Sequence, residues 1–163
     1  MRRSIFLITI LLIAFNIVAQ NQKWEVYIGQ ANKNNEPNDI IESYDKGLKI
    51  GTTTWVIPTQ SNVCLSKTNV NGNLLYDINF IHTGNALGLQ KFCVDSSGNL
   101  YGGGGIWFNN TPPSLAAVVK FNACGEPVWC KYLPVTPQSI GGNVQDIIIN
   151  SNNELIALIF QST

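Results

Sequence analysis

Three aromatic residues, Trp24, Tyr76 and Trp129, recur at separations of 52 and 53 residues. The residues around each of them are also alike. Periods of this length are typical of repeated supersecondary units that bury their apolar faces only by stacking on their neighbours. The spacing therefore predicts a repeat architecture, but it does not identify a reaction.

Two segments around these aromatic residues align without a gap. Residues 65–76 (LSKTNVNGNLLY) match residues 118–129 (VVKFNACGEPVW). Each segment has two short apolar runs around a polar turn, which predicts a β-hairpin. Positive φ angles are expected at Asn71-Gly72 in the first turn and at Gly125 in the second.

A second hairpin pattern alternates with the first. It consists of an apolar run, a polar turn and another apolar run, and we expect its turn residues to tolerate a left-handed backbone. Copies of this pattern occupy residues 40–51, 93–102 and 147–157, with turn residues Gly47, Gly98 and Asn153.

Together the two hairpins give a unit of four antiparallel strands per fifty-odd residues, the pattern of β-propeller blades. The sequence therefore predicts an all-β protein, a partial β-propeller of about two and a half four-stranded blades that follows a signal peptide. This incomplete propeller domain covers residues 20–163. Its predicted divisions are an orphan outer strand at 20–29, blade 1 at 38–80, blade 2 at 89–133 and half of blade 3 at 143–163.

The alternation of a DxxGxLxG-like hairpin with a KxNxxGxxxW-like hairpin resembles secreted bacterial β-propeller repeat proteins of the Bacteroidota type. The resemblance covers nearly all of residues 23–160 and implies a fold and an exported location, without assigning a reaction. Propellers typically close with 4 to 8 blades. The expectation is therefore an N-terminal fragment, with the remaining blades supplied by a longer chain. A complete open stack of sheets that dimerises is the alternative.

The N-terminus predicts a signal peptide at residues 1–19. Arg2 and Arg3 form a basic head, an apolar stretch follows, and Ala19 offers a small residue for cleavage. The apolar stretch is shorter than the roughly 20 residues of a membrane span, so no stable span is expected after cleavage, although a retained anchor is the alternative. The chain is therefore expected to be secreted or on the cell surface.

Charge argues against a nucleic-acid partner. Ten Lys and Arg residues balance ten Asp and Glu residues, and the basic side chains form no stripe along the sequence. Nucleic-acid-binding domains normally carry such a basic patch.

Four cysteines in a chain predicted to be exported are candidate disulfide partners: Cys64, Cys93, Cys124 and Cys130. A bond between the last two is disfavoured, because a turn position and a position six residues along a strand lie about 20 Å apart at roughly 3.3 Å per residue. Two pairings remain, in which Cys64 joins Cys124 or Cys130 and Cys93 takes the other. Free buried thiols are the alternative.

No catalytic, cofactor or metal site is predicted. His82 has no identifiable nucleophile or carboxylate partner. The run from Gly102 to Gly105 lacks the Lys-Ser/Thr of a phosphate-binding loop, which favours close packing or a bulge. The repeated aromatic residues are interpreted as packing between blades rather than as sugar-stacking groups.

These features favour an exported segment with a binding or surface-scaffold role and no catalysis of its own. Polar loops on a rigid scaffold are the expected binding face, with an extracellular protein or a glycan as partner. The alternative is a fragment of a propeller enzyme, quinone-dependent or glycan-active, whose catalytic residues lie outside this chain.

Overall fold

The structure, a computed structural model, describes residues 24–57, 60–81, 85–108, 114–133 and 141–162. The predicted signal peptide at 1–19 and His82 lie outside these ranges. The described residues form β-strands and turns and no helix, as predicted for an all-β chain. The strands are β1 (Asn34–Glu42), β2 (Leu48–Ile57), β3 (Gln60–Thr68), β4 (Leu74–Phe80), β5 (Asn85–Val94), β6 (Leu100–Phe108), β7 (Ser114–Phe121), β8 (Pro127–Tyr132), β9 (Gly141–Ile149) and β10 (Leu155–Ser162).

The strands form three antiparallel sheets in chain order. β1 to β4 make the first sheet, β5 to β8 make the second, and β9 pairs with β10 in the third. The four-stranded antiparallel hairpin units predicted from the repeat are therefore confirmed. The sheets begin four, four and two residues before the predicted units, at Asn34, Asn85 and Gly141.

The second sheet is buried on both faces, and its β7 shows how the sequence achieves this. Ala117, Val119 and Phe121 are fully buried in a cluster shared with the first sheet. The alternate residues Ala116 and Val118 belong to a cluster shared with the third sheet. Side chains alternate between the faces of a strand, so a nearly continuous apolar run is what a doubly covered strand requires.

Five hairpin turns share one backbone pattern. In each, the N–H of the first turn residue donates to the carbonyl of the residue four positions later. The N–H of the fourth, left-handed residue donates to the carbonyl of the first, as in a type I turn followed by a bulge residue. This turn needs one left-handed residue rather than two, so Gly72 (φ 79°) takes that role and Asn71 does not. The predictions for Gly98, Gly125 and Asn153 are confirmed, with φ angles of 82°, 88° and 63°.

The prediction for Gly47 is wrong by one residue. Lys46 holds the left-handed position, with φ 63°. Gly47 instead lies against the backbone carbonyl of Thr68, where a Cβ atom would collide with it. The glycine is therefore explained by close approach of two backbones.

Residues 24–29, the described part of the predicted orphan strand, are not in a strand. Trp24 nevertheless packs its indole ring against Gly72 in the turn of the first sheet. The N-terminal segment therefore contacts the first sheet through a side chain rather than through a ladder.

Candidate functional site

A side-chain oxygen at the first position of the turn organises four of the five hairpins. The Asn122 Oδ1 atom accepts hydrogen bonds from the backbone N–H groups of Cys124 (3.0 Å) and Glu126 (2.9 Å). Asn69, Asp95 and Asn150 make the same pair of bonds in their own turns. These oxygens are engaged in holding the backbone, which is the usual role of Asn and Asp in turns.

Two of the repeated aromatic residues pack on the turn of a neighbouring segment. Tyr76 of the first sheet lies against Gly125, where an added Cβ would approach its ring to 3.1 Å. Trp24 lies in the same way against Gly72. The interpretation of these aromatics as packing groups therefore agrees with the structure at two of the three positions.

Trp129, the third aromatic residue, lines an open groove instead. The groove has a volume of about 420 Å³ and lies between the second and third sheets. Two lysine ammonium groups sit over its rings, Lys120 over Tyr101 and Lys131 over Trp129, each 5.1 Å from the ring centroid. The complete lining is Tyr101, Val118, Lys120, Trp129, Lys131, Leu133, Leu155 and Ala157.

A row of polar side chains follows the first strands of the three sheets. Each of these strands carries a β-bulge at the same structural position, which leaves one extra residue: Asn38 in β1, Gln90 in β5 and Gln145 in β9. Asn38 donates to Thr53 Oγ1 (2.7 Å). Gln90 and Gln145 are exposed. Bulges commonly re-aim side chains beside functional sites.

Charged residues follow directly after the bulges and join the first strands to one another. Asp39 accepts a hydrogen bond from the backbone N–H of Phe92 in β5 (3.0 Å), and the Lys91 ammonium lies 3.7 Å from its other carboxylate oxygen. Asn143 of β9 donates to the Gln90 Oε1 atom (3.0 Å). The first strands thus present amides and charges along their exposed edges.

Sequence reasoning missed this row. Its signal is an amide residue that recurs between an apolar and a charged residue, in Pro37-Asn38-Asp39, Leu89-Gln90-Lys91 and Val144-Gln145-Asp146. Amide side chains both donate and accept hydrogen bonds, and edge strands add free backbone groups. The row therefore presents hydrogen-bond donors and acceptors along one side of the three sheets.

The four cysteines are free thiols in the structure, and they lie in different environments. Cys124 is exposed in a turn. Cys93 packs in the cluster between the second and third sheets, whereas Cys130 packs on the opposite face of the second sheet. A bond between these two would have to pass through the sheet. The disulfide pairings stay predictions.

Burial controls the chemistry of two thiols. Burial, reinforced by the neighbouring Asp77 carboxylate, raises the pKa of Cys64 to about 12. The Cys64 thiol donates to the Asp77 Oδ1 atom at 2.9 Å. Burial raises the pKa of Cys93 to about 12 as well. Both groups are therefore protonated and poorly nucleophilic near neutral pH.

Lys49 is a buried cation at the contact between the first and second sheets. Its ammonium donates to the backbone carbonyl of Gly98 at 2.6 Å. Burial, and secondarily the charge of Lys67, lowers the pKa of Lys49 to about 8. The nearby Asp45 carboxylate pairs with Lys67, which holds the pKa of that carboxyl below its usual value.

The glycine run of β6 is a site of close packing, as one of the two interpretations above predicted. A Cβ at Gly103 would lie 2.5 Å from the Val144 side chain in β9, and one at Gly104 would collide with the Gly88 carbonyl. The bulge in this region lies on β5 rather than on β6. The run therefore lets three strands approach, and it offers no phosphate cradle.

Within the described ranges, no three His, Cys, Asp or Glu side chains are grouped so that they could hold a metal ion. The same ranges contain no helix with the length and apolar character needed to cross a membrane. Comparison with protein-family models gives no match, and comparison with curated proteins gives none either.

Proposed function

We propose that this chain is an exported β-propeller repeat segment of the Bacteroidota type, with a binding or surface-scaffold role and no catalysis of its own. On this proposal the three sheets are two blades and half of a third, and further repeat units of a longer polypeptide complete the ring. The signal peptide at 1–19 directs the segment to the cell surface or the medium.

The observation that carries the proposal is the equivalence of successive sheets. The first strand of each has a bulge at an Asn or Gln, and the side-by-side first strands form one polar row. In propellers, blades of four antiparallel strands are arranged radially around a central channel. Such an arrangement would place this row along the channel, where polar ligands can bind.

Binding is favoured over catalysis by the chemistry of the row. Amides such as those of Gln90 and Gln145 can hydrogen-bond to a ligand but cannot transfer protons at neutral pH. The Asp39 carboxylate is already engaged by the Phe92 N–H group and Lys91. These groups suit recognition of sugar hydroxyls or peptide groups by an extracellular binding module.

Glycan and protein arrays probed with the full chain test this function. We expect a ligand to be retained without being converted. A Gln90→Ala/Gln145→Ala variant should lose about 5- to 150-fold in affinity, since two hydrogen bonds at roughly 0.5–1.5 kcal/mol each contribute about 1–3 kcal/mol. Asn152→Ala, an exposed change in a turn, is the matched control. Product release from a retained ligand would instead favour the enzyme alternative.

Export and membership of a longer repeat array have separate tests. N-terminal sequencing of the protein recovered outside the cell should give a start at Gln20. The nucleotide sequence downstream of the codon for Thr163 should encode further copies of the two hairpins in frame. A mature protein that keeps residues 1–19, or unrelated downstream DNA, would contradict the respective part of the proposal.

A further inference from the structure

The groove beside Trp129 has a filled counterpart at the contact between the first and second sheets. The strand registers define the equivalence: Lys67 pairs with Tyr76 in the first sheet as Lys120 pairs with Trp129 in the second. By the same registers and turns, the groove residues Tyr101, Val118, Lys120, Trp129, Lys131, Leu133, Leu155 and Ala157 correspond to Lys49, Leu65, Lys67, Tyr76, Ile78, Phe80, Leu100 and Gly102.

At the first contact, the hairpin β7–β8 fills the space that is open at the second. Phe121 of β7 is fully buried, and its ring meets the ring of Phe80 edge to face at 5.4 Å. The turn of this hairpin places Gly125 against Tyr76 and Ile78, where an added Cβ would approach to 2.9 Å. The hairpin therefore covers the first sheet's aromatic residue and completes that core.

The third sheet has no corresponding hairpin in the described part of the chain. β10 pairs with β9, and no described strand pairs with the other edge of β10. Leu155, Ala157 and Ile159 of this strand face the second sheet, and the alternate residues Ile156, Leu158 and Phe160 are exposed on the other face, at 49%, 65% and 56%. Long apolar edge strands are templates for further strand pairing. The groove is continuous with the apolar cluster that already joins the second and third sheets.

We infer that the groove and the free edge of β10 bind a β-hairpin of the same repeat type. Its first strand pairs with β10 as β7 pairs with β6, and its turn glycine lies on Trp129 as Gly125 lies on Tyr76. This inference rests on the proposed repeat function, because it treats the third sheet as a unit that lacks its second hairpin.

The groove also specifies the chemistry of the occupant. A large apolar side chain at the position of Phe121 would contact Leu133, the counterpart of Phe80. Its turn would carry a left-handed glycine, because at the counterpart position a Cβ on Gly125 would approach Ile78 to 2.9 Å and the Tyr76 ring to 3.1 Å. An acidic residue directly after this glycine, as Glu126 follows Gly125, would lie near Lys131, whose counterpart in the first sheet is the uncharged Ile78.

A synthetic peptide with the sequence of residues 114–132, the chain's own β7–β8 hairpin, tests the inference. Its ends are linked covalently so that the hairpin is preformed, and binding to the full chain is measured by calorimetry. We expect one peptide per chain. Trp129→Ala in the full chain, with the peptide unchanged, should weaken binding about 30-fold or more, as for a central aromatic anchor. Val128→Ala, on the opposite face of the same strand, should change it less than about threefold.

Three further measurements keep the test decisive. The peptide variant Gly125→Val should not bind. In the full chain, Trp129→Phe should recover most of the affinity that Trp129→Ala loses, and this recovery would exclude misfolding as the cause of the loss. A photoreactive group at the Phe121 position of the peptide should cross-link to Leu133 or Leu155. Cross-linking to Phe80 would mean that the peptide only displaces the native hairpin, and it would overturn the inference.

A second copy of the chain is the competing occupant of the β10 edge. In that case sedimentation would show a dimer that the peptide does not dissociate, and Trp129→Ala and Val128→Ala would behave alike. Either result would overturn the inference. These outcomes are independent of the array experiment: a chain that retains a glycan but not the hairpin peptide refutes only the docking site.

Discussion

Replacing Phe121 by alanine tests whether the stacking of the sheets, rather than each sheet alone, stabilises the chain. Phe121 is fully buried between the first and second sheets. Removing its ring opens a cavity beside Phe80, whose ring it meets edge to face. Phe-to-Ala changes in a core cost about 3–5 kcal/mol, and about 0.5–1.5 kcal/mol of this belongs to the edge-to-face ring pair.

Urea denaturation followed by tryptophan fluorescence and by circular dichroism measures this change. With a slope of about 2 kcal/mol per molar urea, a loss of 4 kcal/mol, the middle of the range for such changes, lowers the midpoint by roughly 2 M. Phe160→Ala is the matched control, because Phe160 is 56% exposed and its truncation should cost less than about 1 kcal/mol.

A double-mutant cycle with Phe80→Ala separates the ring contact from general burial. We expect a coupling free energy of about 0.5–1.5 kcal/mol between the two positions. Equal midpoints for Phe121→Ala and Phe160→Ala, or a coupling near zero, would refute the argument that the two sheets share one core.

Three further predictions concern single groups. Gly125→Ala should destabilise the chain by about 1–2 kcal/mol, because Gly125 has a positive φ. Gly88→Ala is the control: its Cβ would meet only ordinary contacts, so the free energy of unfolding should change by less than about 1 kcal/mol in the same urea assay. Equal effects of the two changes would contradict this prediction. Cys124 is exposed in its turn and should react with a thiol reagent at pH 8 far faster than Cys64, whose pKa is raised to about 12. Mass spectrometry that finds Cys124 unmodified would disprove this prediction. Lys49, with its pKa lowered to about 8, binds fewer protons in the folded than in the unfolded chain above that pH, so its contribution to the free energy of unfolding should rise between pH 8 and 9. Cys64 and Cys93, whose pKa is raised to about 12, contribute in the opposite direction over this range. The free energy of unfolding of the wild type relative to Lys49→Met should therefore rise between pH 8 and 9, and a constant difference would contradict this prediction.

The sequence predicted the hairpins well because the residues that determine each turn are close together in the chain. An Asn three residues before a glycine places a side-chain oxygen and a left-handed position in one turn, as Asn122 and Gly125 do. Lys46 escaped prediction because lysine has no preference for the left-handed region, and the adjacent Gly47 carried the stronger signal. There the decisive force is the approach of the Thr68 backbone, which comes from a distant strand.

The bulges and the groove could not be predicted for a related reason. A bulge at Gln90 changes the register between two strands, and the sequence of one strand does not encode its partner's register. The groove beside Trp129 is defined by the contrast between two sheet contacts. Spacing alone made Trp129 equivalent to Tyr76, and only the packing shows that one is covered by a turn and the other is not.

Two carboxylates of the described residues take part in holding the fold. Asp95 holds its turn with both carboxylate oxygens, which accept bonds from backbone N–H groups and from Asn99 and Tyr101. Asp77 accepts bonds from the Cys64 thiol and the Ser66 hydroxyl. A general acid or base needs a free lone pair or proton directed at a reacting atom. Asp95 and Asp77 therefore help to hold a turn and the β3–β4 pair, which supports the proposal that ligand recognition in this chain falls to the exposed side chains of the first strands.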